Sequence, residues 1–347
     1  MRKAHSALDF GFFTLFESRG DADYAQTFKD NFAQALATEE YGLDTIWLGE
    51  SHFRPDRAVM SAPLTVASAI AARTERVKLG LAVQVLPLGN PLHIAEEAAI
   101  VDHISEGRLE FGVGRSSFID AYQGFNIPYD ESRARFDESM EIIIKAWTNE
   151  KFSYEGEFYQ FKDVNLVPKP LQNPHPPVRV AVQSRDTFQL VGKMGWPIFI
   201  RLQMSVPVVQ GLLEEYRVVR QSAGFNGPND VVLLIPVYVA ETEEKALEEP
   251  RESAIHQRRA VADLLATAGT QEQYDRLKKV SEADYEEIQK SVIFGTPETV
   301  TEKLKYYQEE LGITGLALDL NPGGQLTTEQ VKKSMRMLSE KVMPNFK

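Results

Sequence analysis

Short apolar runs alternate with longer amphipathic ones along almost the whole chain. Segments 8–15, 45–49, 77–86, 109–113, 178–182, 197–200, 231–239 and 316–320 are dominated by leucine, β-branched and aromatic residues. Several are continuously apolar, which predicts strands covered on both faces rather than strands with one face in water. Between them, segments 24–41, 63–73, 91–104, 133–148, 187–194, 207–223, 243–266, 297–311 and 328–342 read as helices. Thr296-Pro297 is a clear start signal, a capping hydroxyl followed by a proline where a missing N–H costs nothing. Gly42 and Gly224 stand where two other helices should stop.

Eight strands, each followed by helix, predict an α/β protein, a (β/α)8 TIM barrel with insertions. A doubly wound sheet also alternates strand and helix, so the pattern alone leaves both open. No linker divides the chain, and residues 1–347 read as a single domain. Two stretches exceed the basic unit, at about 152–177 and 250–291. The first holds a predicted hairpin around Glu155-Gly156-Glu157 and then turns proline-rich. The second is charged and mostly helical, and follows the seventh strand. Over a barrel mouth such insertions act either as lids or as plain surface excursions.

Composition narrows the chemistry. The chain is 43% hydrophobic and 25% charged, ordinary for a globular protein, and has no cysteine. Disulfides, thiol nucleophiles and thiolate metal sites are therefore excluded. With 38 basic against 50 acidic residues the net charge is −12, which argues against nucleic acid or an anionic membrane as partner. It does not argue against one phosphate in a local positive pocket. No segment reads as a signal peptide or a membrane span, so a cytoplasmic location is expected. The histidines at 5, 52, 93, 103, 175 and 256 form no helical ligand pair with a third partner, so no metal site is expected.

Three segments at strand ends carry candidate chemistry. Gly112-Val113-Gly114-Arg115-Ser116-Ser117 follows the fourth strand; with Ser117 where a third glycine would stand, it is not a dinucleotide motif. What remains is an arginine beside close-approach glycines, suited to a phosphate, or a simple tight turn. Val182-Gln183-Ser184-Arg185-Asp186-Thr187 opens a helix whose free N–H groups suit an anion, or it is an ordinary N-cap. Gly49-Glu50-Ser51-His52-Phe53 places a histidine where it serves as acid or base, or as a hydrogen-bonded structural group.

In order along the chain, these segments resemble the bacterial luciferase-like family of flavin-dependent monooxygenases. The resemblance also rests on Val85-Leu86-Pro87-Leu88-Gly89-Asn90-Pro91, on Glu106-Gly107-Arg108-Leu109-Glu110-Phe111, and on Phe294-Gly295-Thr296-Pro297-Glu298. It implies the barrel, reduced FMN as cosubstrate and O2 as oxidant, with a separate flavin reductase able to supply the reduced flavin. Carried over by motif, Arg115 and Ser184 would hold the FMN phosphate, Gln183 and Thr187 would flank it, and Arg133 would be the second guanidinium. For Arg133 the alternative is a surface ion pair with Asp137. The family often has a non-proline cis peptide at the end of the third strand, which here would be Ala82-Val83, against the flavin ring.

One departure bears on catalysis. Where bacterial luciferase has two histidines after the glutamate, this chain has Ser51 and then His52 behind Glu50. Serine donates a hydrogen bond to a substrate oxygen but is a poor general base near neutrality. Ser51, His52 and Glu50 are the expected catalytic group, with light emission not expected. Two alternatives remain: a deazaflavin-dependent hydride transfer on the same fold, and a non-catalytic flavin-binding protein. Phe12, Phe13, Phe16, Phe53, Leu202 and Met204 predict an apolar pocket for a small organic substrate, or else ordinary packing. The small residues Ala67, Ser68, Ala69, Ala71 and Ala72 predict a close helix–helix approach, and with the family's pairing mode a homodimer.

Overall fold

The computed structural model describes residues 7–19, 23–202, 204–227, 229–262, 274, 275, 278, 282 and 284–347. Its strands are β1 (Asp9–Thr14), β2 (Thr45–Leu48), β3 (Lys78–Leu81), β4 (Gln84–Val85), β5 (Leu109–Gly114), β6 (Phe152–Glu155), β7 (Gln160–Val164), β8 (Val178–Ala181), β9 (Ile198–Arg201), β10 (Val231–Val239), β11 (Ile293–Gly295) and β12 (Gly315–Asp319). Eight of them pair in parallel in the order β1-β2-β3-β5-β8-β9-β10-β12, and β12 pairs back onto β1. The barrel is therefore closed, with helices around it, and the doubly wound alternative is excluded. β6 and β7 form the antiparallel hairpin expected in the first insertion. No helix among the described residues is long and apolar enough to cross a membrane.

The barrel is filled from its own strands. Phe13, Trp47, Phe199, Val232 and Ala317 pack together inside it. Trp47 lies across its neighbours so closely that a Cβ at Gly80 would stand 2.0 Å from the indole, and one at Gly11 would stand 2.4 Å from it. The glycines of β1 and β3 thus make room for one large ring.

Side chains alternate along a strand, so residues two apart share this interior. Toward the amino-terminal end the same phase brings Asp9, Lys78, Glu110, Arg179 and Asp230 together. Lys78 Nζ lies 3.3 Å from Asp9 and 3.2 Å from Glu110. Arg179 grips Asp230 with two nitrogens, at 2.9 and 2.7 Å, and its guanidinium sits 5.7 Å from the Trp47 ring and 5.4 Å from that of Phe199. This charged layer closes one end. Chemistry is left to the other, the carboxyl ends of the strands.

Several elements differ from the sequence pattern, each for a local reason. The run 77–86 is two strands, because the chain turns at the Ala82-Val83 bond, which is cis. The helix expected over 243–266 breaks into Glu243–Glu248 and Arg251–Ala262, since Pro250 cannot donate inside a helix; residues 263–266 lie outside the described residues. The last helix ends at Met337 and continues as a wider π turn over Leu338–Val342. Two short elements carried too little periodicity to be predicted, the helix Ile119–Gly124 and β11, which adds to the upper half of β10.

Candidate active site

Two residues beyond each interior position, the strands reach the mouth. Gly49 follows Trp47, with Ser51 two residues further on, Ala82 follows Gly80, Gly114 follows Gly112, and Ala181 follows Arg179. From β2 to β8 the interior wall is therefore lined by small residues, and Ala82, Val83 and Ala181 lie partly buried against the inner cluster. Around the rest of the circle the corresponding residues are Arg201, Leu234, Asp319 and Leu15. The mouth has a low, small-residue arc facing a taller, charged one.

The expected catalytic triplet sits at the end of β2. Ser51 is 5% exposed; its backbone N–H donates to the Met60 carbonyl at 2.8 Å, and its hydroxyl has no hydrogen-bond partner among the described residues. His52 turns the other way, its Nε2 at 2.7 Å from Glu50 Oε1, its ring edge-on to Phe125 at 4.9 Å between centroids. Glu50 Oε2 accepts from Gln84 Nε2 at 2.7 Å and from the Val85 N–H at 2.8 Å. Burial pushes the Glu50 carboxyl up, and the bonds from His52 and Val85 pull it back. Glu50 thus ties the end of β2 to the segment following the cis bond. A cavity of about 250 Å³ opens behind His52 and Gln84, toward His93 and Glu97.

Of the five residues expected at the phosphate, Arg115 follows β5 and Gln183, Ser184 and Thr187 follow its neighbour β8, while Arg133 lies in the first turn of the helix Ser132–Thr148. Arg115 makes one long hydrogen bond, Nη1 to Ser132 Oγ at 3.4 Å, and its carbonyl accepts from the buried Tyr122 hydroxyl. Arg133 Nε lies 3.5 Å from Asp137 Oδ2, the ion pair weighed in the sequence; burial pushes the Asp137 carboxyl up, and the Arg133 and Arg115 charges pull it partly back. Ser184 precedes the helix Arg185–Met194 with its side chain bonded to Thr187 Oγ1 at 2.8 Å rather than to a backbone N–H. Gln183 is exposed beside it.

Of the six residues expected to form an apolar pocket, Phe12 and Phe16 are buried outside the barrel lumen, Phe16 stacking edge-on with Phe28 and Phe32. Phe13 belongs to the inner cluster, and Phe53 and Met204 are 60% and 39% exposed. Residues absent from the sequence reading are the charged ones of the mouth: Glu17, Arg57, Arg201 and Asp319. The signal was present for Arg201 and Asp319, each two residues beyond an interior position.

The sequence profile of the luciferase-like monooxygenase family matches residues 8–315. The chain belongs to this family. Over 345 residues it is 27% identical to limonene 1,2-monooxygenase of Rhodococcus erythropolis, covering 98% of this chain and 87% of that one. It is 26% identical over 318 residues to the oxygenase component of the flavin-dependent trigonelline monooxygenase of Acinetobacter baylyi, covering 88% and 86%. The crystal structure of the monooxygenase RslO1 from Streptomyces bottropensis matches with a TM-score of 0.85 at 27% identity, covering 98% of this chain and all 100% of that one. As a luciferase-like monooxygenase the protein is an oxidoreductase, and its strand ends are to be read for that chemistry.

Proposed function

We propose that this luciferase-like monooxygenase binds reduced FMN across the small-residue arc of its barrel mouth and uses O2 to oxygenate a small organic substrate. The observation that carries the reading is the pairing of that arc with unspent donors at its edge. A planar ring needs a wall without side-chain bulk, and Gly49, Ala82, Val83, Gly114 and Ala181 supply one. A phosphate needs cations and hydroxyls, and among the described residues the Arg115 side chain has one bond, a long one to Ser132. Arg115 and Ser184 would hold the phosphate, with Gln183, Thr187 and Arg133 around it. The planar guanidinium meets two oxygens at once, and the helix start at Arg185 adds free N–H groups.

Reduced FMN, when bound, supplies two electrons for the activation of O2. The chain's own residues position and exclude. The Ser51 hydroxyl, buried and unbonded, is placed to donate to an oxygen of the reacting partners. His52 holds Glu50, and Glu50 holds the segment from Gln84 onward, so the wall beside Ser51 keeps its shape. A separate reductase would deliver the reduced flavin; the relative named as an oxygenase component supports this.

The test is oxygen incorporation from 18O2 into a panel of small organic compounds, with enzymatically reduced FMN and, in parallel, a reduced deazaflavin. Label in a product with FMN supports the reading. Hydride transfer with the deazaflavin and no label with FMN would replace it, and FMN binding without turnover of any compound would leave a flavin carrier.

A further inference from the structure

The chain leaves β5 through a sharp bend. Gly114 ends the strand, Arg115 follows, and Ser116 has a φ of 59°, in the left-handed region that a non-glycine residue seldom adopts. The peptide joining Arg115 to Ser116 lies past the last ladder pair, Val85 with Gly114, so its carbonyl takes a donor from outside the sheet. That donor is the Tyr122 hydroxyl. Tyr122 is wholly buried. Burial pushes its hydroxyl up from the ordinary value, so it stays protonated and donates. A phenol has a single hydrogen to give, and here it goes to the Arg115 carbonyl.

The other end of Arg115 is held as well. Its Nη1 donates to Ser132 Oγ at 3.4 Å, and Ser132 is buried at the start of the helix Ser132–Thr148. Arg115 is thus gripped at its carbonyl and at one guanidinium nitrogen. Among the described residues its remaining guanidinium donors have no acceptor.

A hydroxyl positions its partner only where its own ring is fixed. Tyr122 lies in the short helix Ile119–Gly124, which is braced along its length. The Tyr122 ring meets Tyr129 edge-on at 5.0 Å between centroids. Asp120 Oδ2 lies 2.6 Å from Arg54 Nη2, and the Arg54 guanidinium sits 4.6 Å from the centre of the Phe118 ring. Gly124 lies so close to Phe53 that a Cβ there would stand 2.3 Å from the ring. Just past the helix, Phe125 meets the His52 ring. His52, Phe53 and Arg54 all belong to the loop that follows Ser51. The helix therefore spans from that loop to Arg115.

We propose that Tyr122 is a positioning residue for the flavin phosphate, its hydroxyl fixing the peptide after Arg115 so that the guanidinium stands ready at the mouth. The proposal rests on the function given above, which puts the phosphate at Arg115. Tyr122 is too deeply buried to meet the phosphate and acts through Arg115. An arginine already held in place binds an anion more tightly than one that must first be ordered.

The test is fluorescence titration of FMN and riboflavin with the unmodified protein, Tyr122→Phe, Arg115→Ala and the double variant. Tyr122→Phe removes one oxygen and keeps the ring and its contact with Tyr129, so it probes the bond rather than the packing. It should weaken FMN by about 2- to 12-fold, the range for one neutral hydrogen bond, and leave riboflavin unchanged. With Arg115→Ala in place, adding Tyr122→Phe should change neither flavin further, because the two residues act as one unit. A merely structural tyrosine would weaken both flavins alike in either background, and that result would overturn the proposal. So would an unchanged FMN affinity in Tyr122→Phe; with Arg115→Ala still selective for FMN, the phosphate reading would stand and only the role of Tyr122 would fall. Equal weakening of both flavins by Arg115→Ala would take the phosphate from Arg115 and the proposal with it.

Discussion

Ser51 and His52 are adjacent in the chain and face opposite ways. The Ser51 hydroxyl is buried with no hydrogen-bond partner among the described residues, whereas His52 Nε2 is committed to Glu50 at 2.7 Å. The extended backbone at the end of β2 imposes this division, and it assigns the two residues different work. Ser51→Ala should leave folding and FMN binding intact and lower the fraction of consumed O2 that reaches product, with the remainder released as hydrogen peroxide. Loss of one hydrogen bond of about 1 kcal/mol makes this a several-fold effect. His52→Ala removes a partner of a buried carboxylate and should lower thermal stability first. Loss of turnover in a well-folded His52→Ala protein, with Ser51→Ala silent, would move the chemistry to the imidazole.

The phosphate assignment makes a sharper forecast. Arg115→Ala should weaken FMN by roughly 10- to 150-fold, the range for a lost charge-assisted hydrogen bond, and riboflavin, which has no phosphate, hardly at all. Fluorescence titration of both flavins measures this directly. Equal weakening would take Arg115 away from the phosphate. Arg133→Ala should act less, because its guanidinium is already shared with Asp137.

The contrast between these residues and those of the opposite arc shows what a sequence displays and what it hides. Arg115, Ser184 and Glu50-Ser51-His52 stand in contiguous motifs directly after apolar runs, so strand ends could be read as sites. Glu17 and Asp319 come from the ends of β1 and β12, and only closure of the barrel brings them together. Glu50's bonds to Gln84 and Val85 were hidden for the same reason, since they join strands 34 and 35 residues apart. The fold itself was legible because its strands are buried on both faces and read as unbroken apolar runs. The interior phase was not, because Gly11, Gly80 and Trp47 acquire their meaning only from one another.

The charged layer at the closed end should be needed for stability rather than activity. Arg179 is 5% exposed and anchors Asp230 with two bonds while its guanidinium packs near Trp47 and Phe199. Arg179→Met keeps much of the packing and leaves Asp230 without its cation, whereas Glu110 keeps Lys78. A loss of about 3 kcal/mol is expected, the lower end for a broken buried pair because Asp230 is partly solvated. Urea unfolding measures it, and a change below about 0.5 kcal/mol, the size of an ordinary surface substitution, would show the network to be dispensable.

Assembly can be tested on the second and third helices. On Pro63–Ala71 the outward positions Ser68 and Ala69 are small and half-buried, and on Pro91–Ile104 the outward Ile100 and Ile104 are 44% and 43% exposed. Small residues beside exposed isoleucines suit a two-fold contact with a second copy. Sedimentation at micromolar concentration should find a dimer, and Ala69→Arg or Ile100→Arg should yield folded monomers. A monomeric unmodified protein would end the idea.

Glu17 should give the protein an unusual dependence on pH. Its carboxyl is buried, accepts from Thr14 Oγ1 at 2.9 Å and from the Leu15 N–H at 3.1 Å, and is held up at about 8 by burial and by Asp319. In the unfolded chain it ionises near the ordinary value of about 4.3. Between those values the folded form keeps a proton that the unfolded form has lost, so rising pH favours unfolding. The contribution is fully present below about pH 4 and is lost as pH climbs toward 8; Asp319, raised to about 6, adds a fall of the same sign over its own lower window. Glu17→Gln can still accept from Leu15 and can place its amide toward Thr14, without a proton to lose. Thermal melts should therefore show the variant gaining on the unmodified protein as pH rises from 5 to 8.5. Parallel curves for the two proteins over that range would mean that Glu17 is ionised throughout in the folded state.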